Sequence, residues 1–112
     1  MNLIDVTLRD GGHAIKWDWP LAFAQDYYKS ISQIEEINFI EMGYWKQTKK
    51  SLNPHYNLDL DYLNQVVQDG DKRNVCIMVD YHYCSHDIKD YPRIDEQKNI
   101  GMLRMCSRKQ DY

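Results

Sequence analysis

Asp5-Val6-Thr7-Leu8-Arg9-Asp10-Gly11-Gly12-His13 is the stretch on which the reading of the whole chain turns. It begins as an apolar strand and ends in a cluster of cation, anion, flexible backbone and imidazole. Arg9 can hold an oxyanion, Asp10 can hold a hard divalent metal, and His13 can move a proton. The paired glycines allow close approach of the backbone to a ligand, or a positive φ that other residues resist. One strand end thus presents the three tools needed to make and stabilise an enolate.

Outward from this stretch the pattern alternates strand and helix. Leu3 to Leu8 reads as strand one, broken by glycine. Asp18 is the expected cap of a first helix spanning about residues 19 to 35, with Pro20 in its first turn. Ala24, Tyr27, Tyr28, Ile31 and Ile34 recur at the spacing of one helix face. Residues 37 to 43 read as strand two, closed by Gly43, and residues 44 to 57 as a polar loop. Asp59 or Asn57 can cap a second helix whose face is Leu60, Leu63, Val66 and Val67, with Gly70 as a left-handed stop. Val75 to Asp80 is a continuous apolar run, as expected for a parallel strand covered on both faces. A brief helical stretch over 93 to 99 and a fourth strand over Ile100 to Cys106 follow. The order βαβαβ(α)β, without hairpin signals, predicts a parallel α/β sheet. Residues 1–112 are expected to form a single unit without repeats or linkers.

The Arg-Asp-Gly run resembles the start of the DRE-TIM metallolyase (HMG-CoA lyase-like) superfamily, which includes 4-hydroxy-2-oxovalerate aldolase. The resemblance is firm over residues 2 to 13 and looser through residue 106. It implies an α/β fold, the N-terminal half of a (β/α)8 TIM barrel, with about four parallel strands and intervening helices. It implies that Arg9 steadies a pyruvyl enolate and that Asp10 ligates Mg2+ or Mn2+. His13 stands where the aldolase branch has its base and the synthases have Gln. Gly12 departs from the aldolase pattern, which has a bulkier residue there. A complete barrel needs about 250 residues, and this chain has 112. The superfamily's second metal element, a His-x-His pair on strand seven, has no counterpart here, so the chain is expected to be the amino-terminal half of a longer protein.

Further candidates fall on the same rim by strand assignment. Glu41 near the end of strand two and Asp80 at the end of strand three could bind substrate. Glu41 could equally pair with a neighbouring Lys or Arg, and Asp80 is similar. Arg104, within an apolar run, could anchor a substrate carboxylate or lie at an exposed edge. Carboxylates converging there need a cation or protons between them. His82, Cys84 and His86 lack a second pair at zinc spacing and read as a plain loop. Lys46, Lys49 and Lys50 read as a solvated face, and most tyrosines as packing.

A chain that is 43% hydrophobic and 28% charged, with net charge −3, fits a soluble globular piece. Mild acidity argues against nucleic acid as a partner, and the short apolar stretches argue against a membrane span. Three cysteines without framework spacing suit a cytoplasmic location. The functional expectation is a carbon–carbon lyase that cleaves a 2-oxo-4-hydroxy acid to pyruvate and an aldehyde. Its partner would be the small-molecule 2-oxo acid, with the 112-residue piece inactive and self-associating. The alternatives are an acyl-CoA-using Claisen-type enzyme of the same superfamily and a non-catalytic assembly fragment.

Overall fold

Val75–Asp80 and Ile100–Cys106 are strands over the spans their apolar runs predict. In the computed structural model, which describes residues 2–14, 18–47, 53–68, 72–84, 91–93 and 96–107 (for residues 13 and 14 the backbone alone), they are the third and fourth strands of one sheet. Its members are β1 (Ile4–Asp5), β2 (Phe39–Trp45), β3 (Val75–Asp80) and β4 (Ile100–Cys106). They lie side by side in the order β1-β2-β3-β4, and every neighbouring pair is parallel. Three helices interrupt them: α1 (Thr7–Asp10), α2 (Leu21–Ser32) and α3 (Leu60–Val66).

The opening strand is shorter than its sequence suggests. The Asp5 carboxylate accepts from the Thr7 backbone N–H at 3.1 Å. The chain then turns at once, Asp10 N–H donating to the Val6 carbonyl at 2.7 Å. The side chain offers the backbone an alternative to the sheet ladder. Arg9 and Asp10 therefore sit in a single helical turn beyond the strand. Gly11–Ala14 continues as a 3-10 turn.

Trp19 explains why α2 starts late. Its indole N–H donates to the Leu8 carbonyl at 2.9 Å and its ring stacks on Phe23 at 5.1 Å. The helix begins at Leu21 behind an extended Pro20, with no side-chain cap, so Asp18 does not cap it. Asp59 does cap α3, accepting from the Tyr62 N–H at 2.7 Å. Gly70 and residues 94 and 95 lie outside the described residues. Glu96 and Gln97 both donate to the Arg93 carbonyl. Residues 96 to 99, the described part beyond Arg93 of the helical stretch expected over 93 to 99, are turn and irregular backbone.

One face of the sheet carries the core. Ile40, Met42, Val75, Ile77 and Ile100 meet Ala24 and Tyr28 of α2 and Leu63 and Val66 of α3. Strand side chains alternate between faces, so the opposite face receives Glu41, Cys76 and Asp80. Arg104 joins them because a register shift after the Val75–Ile100 pair sets Cys76 beside Met102 and Met78 beside Arg104. A register shift between Glu41 and Tyr44 sets Tyr44 beside Met78 and Trp45 beside Val79. The extra residue brings Tyr44 onto the face of Glu41 and leaves Trp45 packed against the core.

Gly43 does not end β2. A Cβ there would lie 2.3 Å from the His55 carbonyl oxygen, because residues 53 to 58 run back against the strand. Tyr44 N–H donates to His55 O at 3.0 Å, and Leu58 N–H donates to Tyr44 O at 2.8 Å. The absent side chain lets this loop close on the strand.

His55 itself is wholly buried. The Met42 carbonyl at 2.6 Å from its Nδ1 can only accept, so that nitrogen carries the proton. Nε2, 2.8 Å from the Tyr62 hydroxyl, then accepts. Burial lowers the imidazole pKa below its ordinary value of 6.5, and the bond to Met42 offsets part of that effect. The unfolded chain thus binds a proton more readily than the folded one, and stability is lost as pH falls below about 6.5. We expect the urea midpoint to drop between about pH 7.5 and pH 5.5, at a cost of no more than about 1.4 kcal/mol per pH unit. A His55→Gln variant should show a flatter profile over the same window. Equal slopes in the two proteins would remove His55 as the cause.

Candidate functional site

On the sheet face opposite the core, the chain gathers charge around one carboxylate, that of Glu41. This residue lies within β2 and not at its end, because the strand runs on to Trp45. Glu41 has no exposed surface, a position that costs a charged group heavily unless it is paired and hydrogen-bonded. Both oxygens are engaged. Arg9 Nε donates to Oε1 at 2.6 Å, and Arg104 Nη1 donates to Oε2 at 2.9 Å. The Cys76 thiol also approaches Oε2, at 3.3 Å. Burial and the Glu41 charge push the Cys76 pKa far up, so the thiol stays protonated and donates.

Arg9 is fixed on more than one side. Its Nη1 donates to Asp10 Oδ1 at 3.2 Å and lies 3.5 Å from the Tyr44 hydroxyl, with the guanidinium carbon 5.6 Å from the Tyr44 ring centre. Burial works against the charge, but the bonds to Glu41 and Tyr44 outweigh it and raise the Arg9 pKa. The side chain is 14% exposed, so a fixed cation remains within reach of a ligand.

The structure thus brings Arg9, Glu41 and Arg104 into direct contact. Asp10 stands at their edge with its side chain 63% exposed. The backbone of His13 follows in the 3-10 turn; its side chain lies outside the described residues. Among the described residues, no three His, Cys, Asp or Glu side chains come together as a metal site. Asp10 offers one oxygen ligand, and any further ligands would have to come from elsewhere.

Asp80 belongs to a neighbouring group that the sequence reading missed. Lys46 is 4% exposed rather than part of a solvated face. Its ammonium lies over the rings of Tyr56 at 3.3 Å, Tyr44 at 4.4 Å and Tyr83 at 5.5 Å, with Asp80 Oδ2 at 3.8 Å. Tyr56 comes from the loop after β2 and Tyr83 from the 3-10 turn after β3. No spacing rule joins tyrosines so far apart in sequence. The available signal was the number of tyrosines, nine in 112 residues. Lys49, Lys50 and His86 lie outside the described residues. His82 is exposed, and the Cys84 thiol donates to the Trp45 carbonyl at 3.4 Å.

No protein-family model matches the chain, and no curated protein does. Among solved structures it is similar to one described as "the N-terminal domain of a putative aldolase" from Bacteroides vulgatus, with a TM-score of 0.70 at 21% identity. The match covers 94% of this chain and 35% of that chain. The likeness shows a shared fold: an α/β chain built on a parallel sheet. This chain spans about a third of the length of its structural neighbour. No helix among the described residues is long and apolar enough to cross a membrane.

Proposed function

We propose that the chain is the N-terminal half of a (β/α)8 barrel of the DRE-TIM metallolyase type, serving a lyase that cleaves a 2-oxo-4-hydroxy acid to pyruvate and an aldehyde. The observation that carries the reading is Arg9, in the turn just beyond β1, held on a wholly buried Glu41 of β2. Strand order supports the barrel part. Doubly wound sheets reverse direction after two or three strands, whereas here four strands are added in succession on the same side, as in a sheet that closes on itself.

In this reading the 2-oxo oxygen of the substrate lies against the Arg9 guanidinium. His13 takes the proton of the 4-hydroxyl group. The bond between C3 and C4 then breaks, its electron pair moving into the 2-oxo acid half to give the enolate of pyruvate, while the hydroxyl carbon leaves as the aldehyde. Negative charge grows on the oxygen beside Arg9, whose position Glu41 fixes before the reaction begins. Protonation of the enolate carbon completes pyruvate. Asp10 would hold Mg2+ or Mn2+, which when bound supplies Lewis-acid polarisation of the 2-oxo group.

A pyruvate-release assay on the complete barrel, run with and without divalent metal, tests this reading. The expected result is metal-dependent cleavage that Asp10→Asn abolishes or shifts to much higher metal concentration. Cleavage indifferent to both metal and Asp10 would sink it. The 112-residue chain alone is expected to be inactive and to pair with a second copy. Its sheet ends in unpaired edges at β1 and β4, and Met105 on β4 is 59% exposed. Unpaired edges template association. Light scattering at micromolar concentration should report a dimer or larger species, and a strict monomer would contradict the expectation.

A further inference from the structure

Lys46 is buried without the partners a buried ammonium ordinarily has. An ammonium carries three N–H donors. Among the described residues none finds an acceptor at hydrogen-bond distance: the Asp80 carboxylate, at 3.8 Å, is too far for one. What surrounds the charge is π surface, the rings of Tyr56 and Tyr44 at 3.3 and 4.4 Å. Ring faces stabilise a cation but leave its directional donors unspent. The same Tyr44 ring borders Arg9, so the two cations flank one aromatic side chain on one rim.

A 2-oxo acid has two oxygen functions that need separate partners. Arg9 already gives Nε to Glu41 and faces the oxygen that becomes the enolate. The carboxylate needs a second cation, set apart from the first. We infer that Lys46 is the carboxylate-binding residue of this site, its ammonium donating to the carboxylate of the bound 2-oxo acid in exchange for its present long contact with Asp80. The assignment rests on the proposed reading of the Arg9 site and names the residue that selects an acid over a neutral carbonyl compound. Tyr83, the most distant of the three rings at 5.5 Å, is the side chain that must turn aside to admit the ligand. Asp80 holds the ammonium in place while the site is empty. The interaction transfers no proton and forms no covalent bond.

The test is an NMR titration of the complete barrel, with Mg2+ present, with pyruvate, methyl pyruvate and acetate, in the parent and in Lys46→Met and Lys46→Arg. Backbone spectra of the variants report whether the fold survives; Met keeps most of the buried stem. The expected result is a dissociation constant for pyruvate at least about tenfold weaker in Lys46→Met, the usual worth of a charge-assisted hydrogen bond. Methyl pyruvate should bind the parent and Lys46→Met alike, and Lys46→Arg should recover most of the loss. A purely structural role for Lys46 would weaken pyruvate and its ester equally and would overturn the assignment. Unchanged pyruvate binding in Lys46→Met overturns it while leaving the Arg9 reading intact. Lys46-dependent binding of acetate with no preference for pyruvate keeps the anion subsite and removes the 2-oxo acid. Borohydride trapping of pyruvate onto Lys46 would show a nucleophilic amine and so overturn the ion-pair role, and absence of binding by all three ligands to the metal-loaded complete barrel overturns both readings.

Discussion

Arg9→Ala is expected to lower kcat by about 100-fold or more in the complete enzyme, as loss of an oxyanion-stabilising donor does. The guanidinium is held by Glu41 at 2.6 Å, so no neighbouring side chain can take its place by a small rotation. Arg104 reaches the same carboxylate from β4, on the same face of the sheet, and its own position is fixed by that bond. His13→Ala should slow carbon–carbon cleavage by roughly 100- to 10,000-fold, the range for a general base. The two variants should part company on oxaloacetate. Its decarboxylation passes through the same enolate but releases carbon dioxide and needs no base at a hydroxyl group. His13→Ala should therefore retain that activity, and Arg9→Ala should lose it. Steady-state assays of both reactions decide the matter; equal losses of both in His13→Ala would remove the imidazole from the base role.

Glu41→Met carries the largest expected cost to stability. The substitution keeps much of the side-chain volume, so the loss is electrostatic and not that of a cavity. It leaves two guanidinium groups facing each other without the carboxylate between them. Breaking a fully buried pair costs about 3–5 kcal/mol. The Arg104 side chain is 38% exposed and Arg9 14%, so water recovers part of that, and about 2–3 kcal/mol is expected. Arg104→Met alone should cost no more than about 1 kcal/mol, since its charge is the more solvated one. In Glu41→Met/Arg104→Met, part of the first loss should return because one of the opposed cations is gone. Urea unfolding of the three variants measures these quantities. A Glu41→Met midpoint within error of the parent would mean that solvent, and not Glu41, balances the arginines.

The elements that were legible in the sequence are those whose side chains are uniform. β3 is an apolar run covered on both faces, which such a run signals, and β4 is a mainly apolar run of the same length class, buried at Ile100 and open toward Cys106. The cap at Asp59 follows from a rule local to four residues. β1 misled because the deciding event is a side-chain bond from Asp5 to Thr7, which competes with a strand that Val6 and Leu8 would otherwise favour. β2 ran past Gly43 because the loop that needs the glycine's space returns from residue 55. The site divides the same way. Arg9 and Asp10 stand out through contiguous chemistry, and the contact of Arg9 with Glu41 is what the structure adds. The pairing of Glu41 with arginines was weighed and left open, since spacing alone does not set a partner 32 positions away. Lys46 reads as surface because a lysine in a polar stretch ordinarily is solvated, and its enclosure depends on rings from β2, the loop after it and the turn after β3.

β1 joins the sheet through two residue pairs, Ile4 with Phe39 and Asp5 with Ile40. What fastens the first segment is mainly side chains: Leu8 wholly inside the core, the Trp19 indole on its carbonyl, and Tyr27 on Asp5 at 2.8 Å. Such a segment can come away as a cooperative unit at a fraction of the free energy needed to unfold the rest. Each opening would carry Arg9 off Glu41 while β2, β3 and β4 stay paired, so the lifetime of the Arg9–Glu41 contact is set by peeling of the first residues and not by the durability of the sheet.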